Sequence, residues 1–533
     1  MLKIPYGKSD FKTIIEEEYF YQDRTHYIQT LENWDSTYLL YLRPRRFGKS
    51  LFISTLHYYY GMEFQAAFPT LFGKTFMGQH PTKKANAYLV LRFDFSGINT
   101  ETEQDTYDGF LSNVLKGCEN FIIEYKQYFS IDSKKEILTQ KKPNEMIKSL
   151  LHRVHPQRLE QKVYILIDEY DHFANQLIAF NYAYFLDIVT QNGYVRTFYE
   201  VLKMYTGTGL VERIFIMGVS PVTMDSLTSG FNISKNISLS PTFHQMVGFE
   251  EAEVQAILAA IEIPPSEIAP TLEDLRLWYD GYLFAHRAKQ KLYNPNMVLY
   301  FAAAYKDTQN YPDSMLDPNI ASDYSKIQNL FNIQGNAEQY LGVLRDLLEK
   351  GAVSATLTDQ YSFKRGFTQD DLVSLLFYMG FLTIRGFHLG TYNFSFPNYV
   401  IKKLYADFFI QSILEKNALP FDNHPVNNGI KVMADTGNPQ TFFEQVKLIL
   451  KYFSNWAYMD VYLEAIRGQK PNFEVAMELK YVQKGGKKAV DTLLKAAKVQ
   501  LQGYLDTPKF NTRTNLKSFV VVVAGDKLEW RAI

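Results

Sequence analysis

The run YLLYLRPRRFGKSLFISTLHYYYG, from Tyr38 to Gly61, limits the fold of this chain more than any other stretch. It reads as an apolar strand, a tight basic turn closing in Gly48-Lys49-Ser50, and a helix. A strand that feeds such a turn into a helix makes a polyphosphate cradle out of bare backbone N–H groups and a helix N-terminus. In that arrangement Lys49 reaches the β- and γ-phosphates and Ser50 holds Mg²⁺. The usual pattern is G-x-x-x-x-G-K-[ST], and Arg43 stands where its first glycine belongs. Taken by itself the triplet also fits an ordinary surface turn, so the reading depends on a matching acidic strand elsewhere in the chain.

Lys162 to Glu169, KVYILIDE, supplies it. A short unbroken apolar run ending in two carboxylates predicts a strand buried on both faces of a parallel sheet. Its acids then emerge at the strand's carboxyl end, where open α/β sheets bind ligands. There Asp168 takes Mg²⁺, usually through water, and Glu169 polarises the attacking water. A core strand followed by a solvated acidic turn is the competing reading, and the pairing of the two motifs argues against it because each predicts the other. A third strand, Arg213 to Val219, runs into Ser220-Pro221. Ser220 is placed to sense the γ-phosphate, and a strand ended by a proline stop accounts for the same residues equally well.

Composition bounds these expectations. A chain of 533 residues predicts several domains, and 46% hydrophobic with 15% aromatic residues is ample for packed cores. A net charge of −1 gives no whole-chain attraction to nucleic acid, so any such contact needs a local basic patch. One cysteine, Cys118, excludes an internal disulfide framework and fits a reducing cytoplasm. The polar, acidic start MLKIPYGKSDFKTIIEEE lacks an export pattern, and no apolar run approaches the ~20 residues that span a bilayer. The expectation is a soluble cytoplasmic protein with no membrane partner.

Alternating strand and helix patterns over residues 1–245 predict an α/β domain, a parallel sheet flanked by helices. Its strands are expected at Tyr38 to Leu42, Tyr88 to Phe95, Val163 to Ile167 and Arg213 to Val219, with mostly helix between Gly97 and Gln161. From Phe249, FEEAEVQAILAAI opens a mostly helical middle region, residues 246–414, in which Leu372 to Ile384 reads as core-packing helix. Glu415 to Gln440, rich in proline and Asn-Gly, reads as a linker opening a C-terminal α/β domain over residues 415–533.

That last domain carries a second chemistry. Asp460 lies in the apolar-flanked YMDVYLEAI, and Glu478 and Lys480 share one face of the strand NFEVAMELKYV because side chains repeat with period two. A hairpin through Arg467 to Pro471 lays the Asp460 strand beside it. Two carboxylates converging with a lysine suit metal-assisted phosphodiester hydrolysis: Asp460 and Glu478 bind Mg²⁺, and Lys480 orients water or stabilises charge on the phosphate. The same residues also fit an amphipathic hairpin with a solvated charged face. After Gly485-Gly486, a helix from Lys488 to about Leu505 presents Gln500 and Tyr504 one turn apart, and Ser518 to Ala524 reads as a buried strand. From Pro471 to Ile533 there are 11 Lys+Arg and 6 Asp+Glu, a net of +5 suited to a phosphate backbone.

Several further signatures run through the chain: Pro5-Tyr6-Gly7 with Ser9-Asp10-Phe11, Tyr19 with Asp23-Arg24-Thr25, RPRRFGKS, FDFS at Phe93 to Ser96, LIDEYD, GVSP, WYDGY, YNP at Tyr293 to Pro295, MELK and QLQGY. On these the chain resembles the bacterial AAA-ATPase-like family fused to a C-terminal PD-(D/E)XK nuclease-like domain. In that family an arginine-rich turn commonly replaces the glycine-rich one. The resemblance implies a P-loop domain over residues 1–245, a helical lid or winged-helix-like region over 246–414, and a restriction-endonuclease-like domain over 415–533. It implies ATP held by Arg45, Arg46, Phe47, Gly48, Lys49, Ser50 and Ser220, with Mg²⁺ at Ser50 and Asp168, and Glu169 as the catalytic carboxylate that polarises the attacking water. Arg45 and Arg46 would pair with phosphate charge in this subunit or in a neighbour of a homo-oligomer. At the far end it implies Mg²⁺ or Mn²⁺ on Asp460 and Glu478, with Lys480, acting on DNA or RNA. Family members often place Gly-Arg before the first acid, whereas Ala457-Tyr458-Met459 precedes Asp460 here, and Glu464 competes for that role. The expected function is a Mg²⁺-dependent ATPase coupled to a nuclease. The alternative is a STAND-like signalling or scaffold ATPase whose C-terminal domain binds nucleic acid or protein without cutting.

Overall fold

The computed structural model describes residues 2–154, 161–190, 192–221, 231–320, 337–358, 367–405, 424–450, 459–463, 472–482, 487–506, 514–524 and 527–533. The chain forms two compact units, Met1–Phe409 and Ile410–Ile533.

In the first unit β1 (Tyr38–Leu42), β2 (Tyr88–Asp94), β3 (Lys162–Asp168), β4 (Val211–Gly218) and β5 (Lys235–Asn236) make a parallel sheet in the order β2-β3-β4-β1-β5. The unbroken apolar runs are explained by cover on both faces. Tyr88 and Tyr164 meet Tyr60 of the helix Lys49–Tyr60, while Phe93 meets Phe198 of the helix Tyr194–Gly207. Tyr88 and Phe93 are an odd number of positions apart on one strand, so these helices lie on opposite faces. The stretch between β2 and β3 is helical as expected, at Glu103–Glu124, Ile131–Leu138 and Pro143–Val154. Register aligns Leu42 with Gly218 and Asp94 with Asp168, so the strands' carboxyl ends share one edge of the sheet. In such a sheet that edge is where ligands bind.

Beyond residue 246 the first unit is helical at Glu251–Ala260, Pro265–Tyr279, Pro295–Thr308, Ala337–Lys350 and Gln369–Tyr378. It also holds a small antiparallel sheet, order β6-β8-β7, from β6 (Val353–Ala355), β7 (Thr383–His388) and β8 (Thr391–Ser395). The expectation of continuous helix from Leu372 to Ile384 is therefore corrected. Gly380, at φ +84°, ends the helix in the left-handed region, and a Cβ there would stand 2.6 Å from Pro44 Cβ. The apolar residues beyond it are buried in a strand and its approach.

The second unit has a four-stranded sheet, β12-β11-β10-β9, from β9 (Met459–Leu463), β10 (Glu474–Val482), β11 (Leu516–Ala524) and β12 (Lys527–Ala532). Strands β10 and β11 run parallel, joined through the helix Lys487–Leu505; β9 and β12 pair antiparallel at the two edges. Alternation splits the core cleanly. Ala476, Val520 and Val522 pack on Val490, Leu494 and Ala497 of that helix, and Val475, Met477, Phe519 and Val521 pack on Met433 and Phe443. Met433 belongs to a helix, His424–Thr436, that replaces part of the expected linker. Pro425 falls in its first turn, where a missing N–H costs nothing, so the proline that signalled a loop opens a helix instead. Among the described residues no helix is long and apolar enough to cross a membrane.

Candidate functional site

The basic turn between β1 and the helix Lys49–Tyr60 is braced from below. Arg43 is 1% exposed and donates to the carbonyls of Leu42 (2.8 Å), Ser238 (2.8 Å), Phe243 (3.2 Å) and His244 (3.3 Å). Its guanidinium lies over the rings of Tyr41 and Phe284, 4.3 and 4.4 Å from their centroids. The position where a glycine was sought thus holds a side chain that anchors the turn. Phe47 is buried against Tyr282 (4.9 Å) and Phe284 (5.3 Å). The turn is shaped by left-handed residues at Arg46 (φ +63°) and Gly48 (φ +92°). Gly48 caps the helix without a side-chain acceptor, leaving its first N–H groups to a ligand.

These groups open on a cavity of about 360 Å³ lined by Arg46, Phe47, Gly48, Lys49, Ser50 and Glu169, and by Phe20, Tyr21, Arg24, Val247 and Phe249. The volume lies within the ~300–1,000 Å³ typical of small-molecule sites. The two distant motifs meet there. Lys49, 3% exposed, has Nζ 3.4 Å from Glu169 Oε1 and donates to Pro44 O at 3.1 Å. The Ser50 side chain acts to lower the pKa of the Asp168 carboxylate, which accepts from Glu169 N at 3.0 Å. Burial, reinforced by the neighbouring Glu169 charge, pushes Asp168 up to about 6. Burial acts on Glu169 in the same direction, but Lys49, then His172 and Arg45, outweigh it and hold Glu169 below its ordinary value. Glu169 adopts φ +49°, a strained setting for a residue with a Cβ, which turns its carboxylate toward Lys49. Arg46 donates to Asn319 O at 3.2 Å, and both Arg45 and Arg46 line a small neighbouring cavity with Val219 and Asn294.

Ser220 is placed differently from the sensor expectation. It is fully buried, and its hydroxyl lies 3.0 Å from Asp171 Oδ2 and 2.7 Å from Asn175 Oδ1 rather than lining the larger cavity. Asp171 also accepts from Val219 N (3.0 Å), Ser220 N (2.7 Å) and Asn175 Nδ2 (2.7 Å). Sequence reasoning passed over Asp171, the third acid of LIDEYD, whose signal was its place just past the strand end. It also passed over Arg24, which grips Glu253 at 2.5 and 2.6 Å and Gly248 O at 2.8 Å and so ties one cavity wall to another.

In the second unit the β9–β10 register sets Asp460 opposite Glu478. Glu478 is fully buried, Lys480 Nζ lies 2.6 Å from Glu478 Oε1, and Lys480 donates to Gln500 Oε1 at 2.6 Å. Gln500 in turn donates to Tyr504 Oη at 3.2 Å. The strand E-x-K pair and the helix Gln-Tyr pair therefore form one network. The side chain of Asp460, Glu464 and the hairpin turn through Arg467 to Pro471 lie outside the described residues.

The raised Asp168 yields a stability prediction. A folded-state value raised from the ordinary 3.8 to about 6 means that folding takes up a proton between about pH 4 and 6, so this group's contribution to stability falls as pH rises through that window. Asp168→Asn is expected to raise the melting temperature of ligand-free protein at neutral pH, worth on the order of 1–3 kcal/mol. The gain should shrink near pH 5, and calorimetry at the two pH values checks it.

Residues 5–228 match a family model described as a predicted AAA-ATPase. The match supports a nucleotide-binding, ATPase-type domain in that part of the chain. Over 312 residues, 56% of its length, the chain is 29% identical to an uncharacterized protein encoded in the vnfD 5′ region of Azotobacter chroococcum. It spans about half (52%) of that relative's length.

Proposed function

We propose, taking the match of residues 5–228 to the predicted AAA-ATPase family as premise, that the first unit binds ATP with Mg²⁺ and hydrolyses it slowly, as a switch. The observation that carries this reading is the convergence of Lys49 on Glu169 beside the Ser50–Asp168 pair, on one cavity, at the carboxyl edge of the sheet. The residues fit the ligands chemically. A carboxylate as buried as Asp168, crowded by Glu169, suits a divalent cation better than it suits solvent-free isolation, and the uncapped helix start at Gly48 suits phosphate oxygens. Ser50 and Asp168 would hold Mg²⁺, which supplies charge neutralisation on the phosphates. Lys49 and the backbone N–H groups of Phe47 to Lys49 would bind and orient the triphosphate, and Glu169 would orient the water and take its proton. Arg45 and Arg46 would add phosphate contacts, and Ser220 would act through the Asp171 network that fixes the end of β4. Phe20 and Phe249, whose rings lie 6.3 Å apart, offer an apolar wall for the base. Purified protein with Mg²⁺ is expected to release phosphate from ATP; no release above a blank ends this reading.

For the second unit we propose a metal-assisted phosphodiester site on Asp460, Glu478 and Lys480, with Mg²⁺ or Mn²⁺ on the carboxylates, acting on DNA or RNA held by the +5 segment. The register of Asp460 with Glu478 and the ion pair to Lys480 support it. The complete burial of Glu478 favours the second reading, a STAND-like scaffold that binds without cutting. Glu478→Ala with Lys480→Ala is expected to lower Mg²⁺- or Mn²⁺-dependent degradation of plasmid and single-stranded substrates at least about a hundredfold. Degradation unchanged in that variant is contamination, and none by the wild type under any condition selects the scaffold.

A further inference from the structure

The opposite end of the phosphate-turn helix holds three groups that the nucleotide site does not use. His57 lies in its last turn, Glu63 follows the C-cap Gly61, and Glu124 ends the helix Glu103–Glu124. Potential ligand atoms of the three all lie within 4.8 Å of one another. His57 is 8% exposed, and its Nε2 stands 3.5 Å from Glu63 Oε1 and 3.6 Å from Glu124 Oε2. Those separations exceed normal hydrogen-bond lengths. Among the described residues, His57 Nε2 and Glu63 Oε1 are buried with no hydrogen-bond partner. Buried polar atoms left in that condition are rare and call for a partner. A tetrahedral ion with ligands about 2.0–2.1 Å away keeps those ligands about 3.4 Å apart, close to the 3.5 and 3.6 Å that separate His57 Nε2 from the two carboxylates.

The surroundings hold the carboxylates in place. Tyr125 Oη donates to Glu63 Oε2 at 2.5 Å while accepting from Val90 N at 2.8 Å, an orienting contact of the kind that supports metal ligands. Gly61 leaves room for the Glu63 carboxylate to fold back, since a Cβ there would stand 2.7 Å from Oε1. His57 and Glu124 also line a cavity of about 320 Å³ shared with Arg92, Asp94 and Asn120.

We propose that His57 Nε2, Glu63 and Glu124 bind a divalent transition-metal ion of the zinc class, which fastens the end of the phosphate-turn helix to the helix Glu103–Glu124 and keeps one coordination position toward that cavity. The imidazole nitrogen selects zinc or cobalt over Mg²⁺, which prefers oxygen ligands only. A protonated imidazole between two carboxylates is the metal-free alternative.

The test uses the full chain, stripped by a chelator and titrated with Zn²⁺ or Co²⁺ in excess Mg²⁺, which fills oxygen-only sites. One equivalent is expected to survive desalting and to raise the melting temperature. Glu63→Gln with Glu124→Gln is expected to lose it, weakening affinity by more than the ~10–100-fold that loss of an orienting partner alone costs. X-ray absorption of the wild type with bound Zn²⁺ needs no substitution and is expected to show one nitrogen among oxygen ligands and no sulfur. Failure of the wild type to retain an equivalent, retention by the double variant, or a ligand set without nitrogen would overturn the site and leave the imidazolium.

Discussion

Lys49→Ala is expected to lower ATP turnover at least about a hundredfold and to weaken nucleotide binding along with it. The side chain has no solvated alternative: it is 3% exposed, and its charge is held by Glu169 and the Pro44 carbonyl. Truncation removes the charge facing the phosphates and leaves Glu169 beside Asp168 with less compensation, so the ligand-free fold should also lose stability. Phosphate release and titration with a fluorescent ATP analogue measure the two losses, and circular dichroism confirms that the variant folds. Unchanged turnover in a folded Lys49→Ala protein would falsify the nucleotide assignment.

Glu169→Gln is expected to separate what Lys49→Ala removes together. The amide keeps the shape but takes up no proton from water, so turnover should drop by about 10²–10³. Binding should hold or tighten, because Lys49 no longer has to leave an ion pair at 3.4 Å to meet the phosphates. The change also removes the like charge that raises Asp168, easing its ionisation at neutral pH. Loss of affinity equal to that of Lys49→Ala would show that Glu169 builds the pocket rather than serving the reaction.

How much of this was legible before coordinates depends on the kind of signal. The four principal strands of the first sheet fall within a residue or two of their expected bounds, because strands covered on both faces announce themselves as uninterrupted apolar runs. The meeting of Lys49 with Asp168 and Glu169 followed from strand–turn–helix logic alone. What stayed hidden depended on partners far away in sequence. Ser220 reads as a free hydroxyl at a strand end until Asp171 and Asn175 are seen to claim it. The edge strand β12 escaped because KLEWRA alternates charge with apolar residues too briefly to stand out from a tail. Pro425 signalled a break, yet a proline in a helix's first turn gives the same letter in the sequence. His57, Glu63 and Glu124 carry no spacing that would link them, since the third comes from a different helix.

The grip on the phosphate turn has a mechanical outcome. Phe47 is wedged against Tyr282 and Phe284, Gly380 sits on Pro44, and Leu283 is bonded to Thr383 of β7 at 2.7 Å. Close-packed contacts of this sort do not absorb displacement; they pass it on. A shift of the bend would therefore be felt at β7 through Phe47, Phe284 and Leu283, which makes the β7–β8 hairpin the place where strain in the turn would surface.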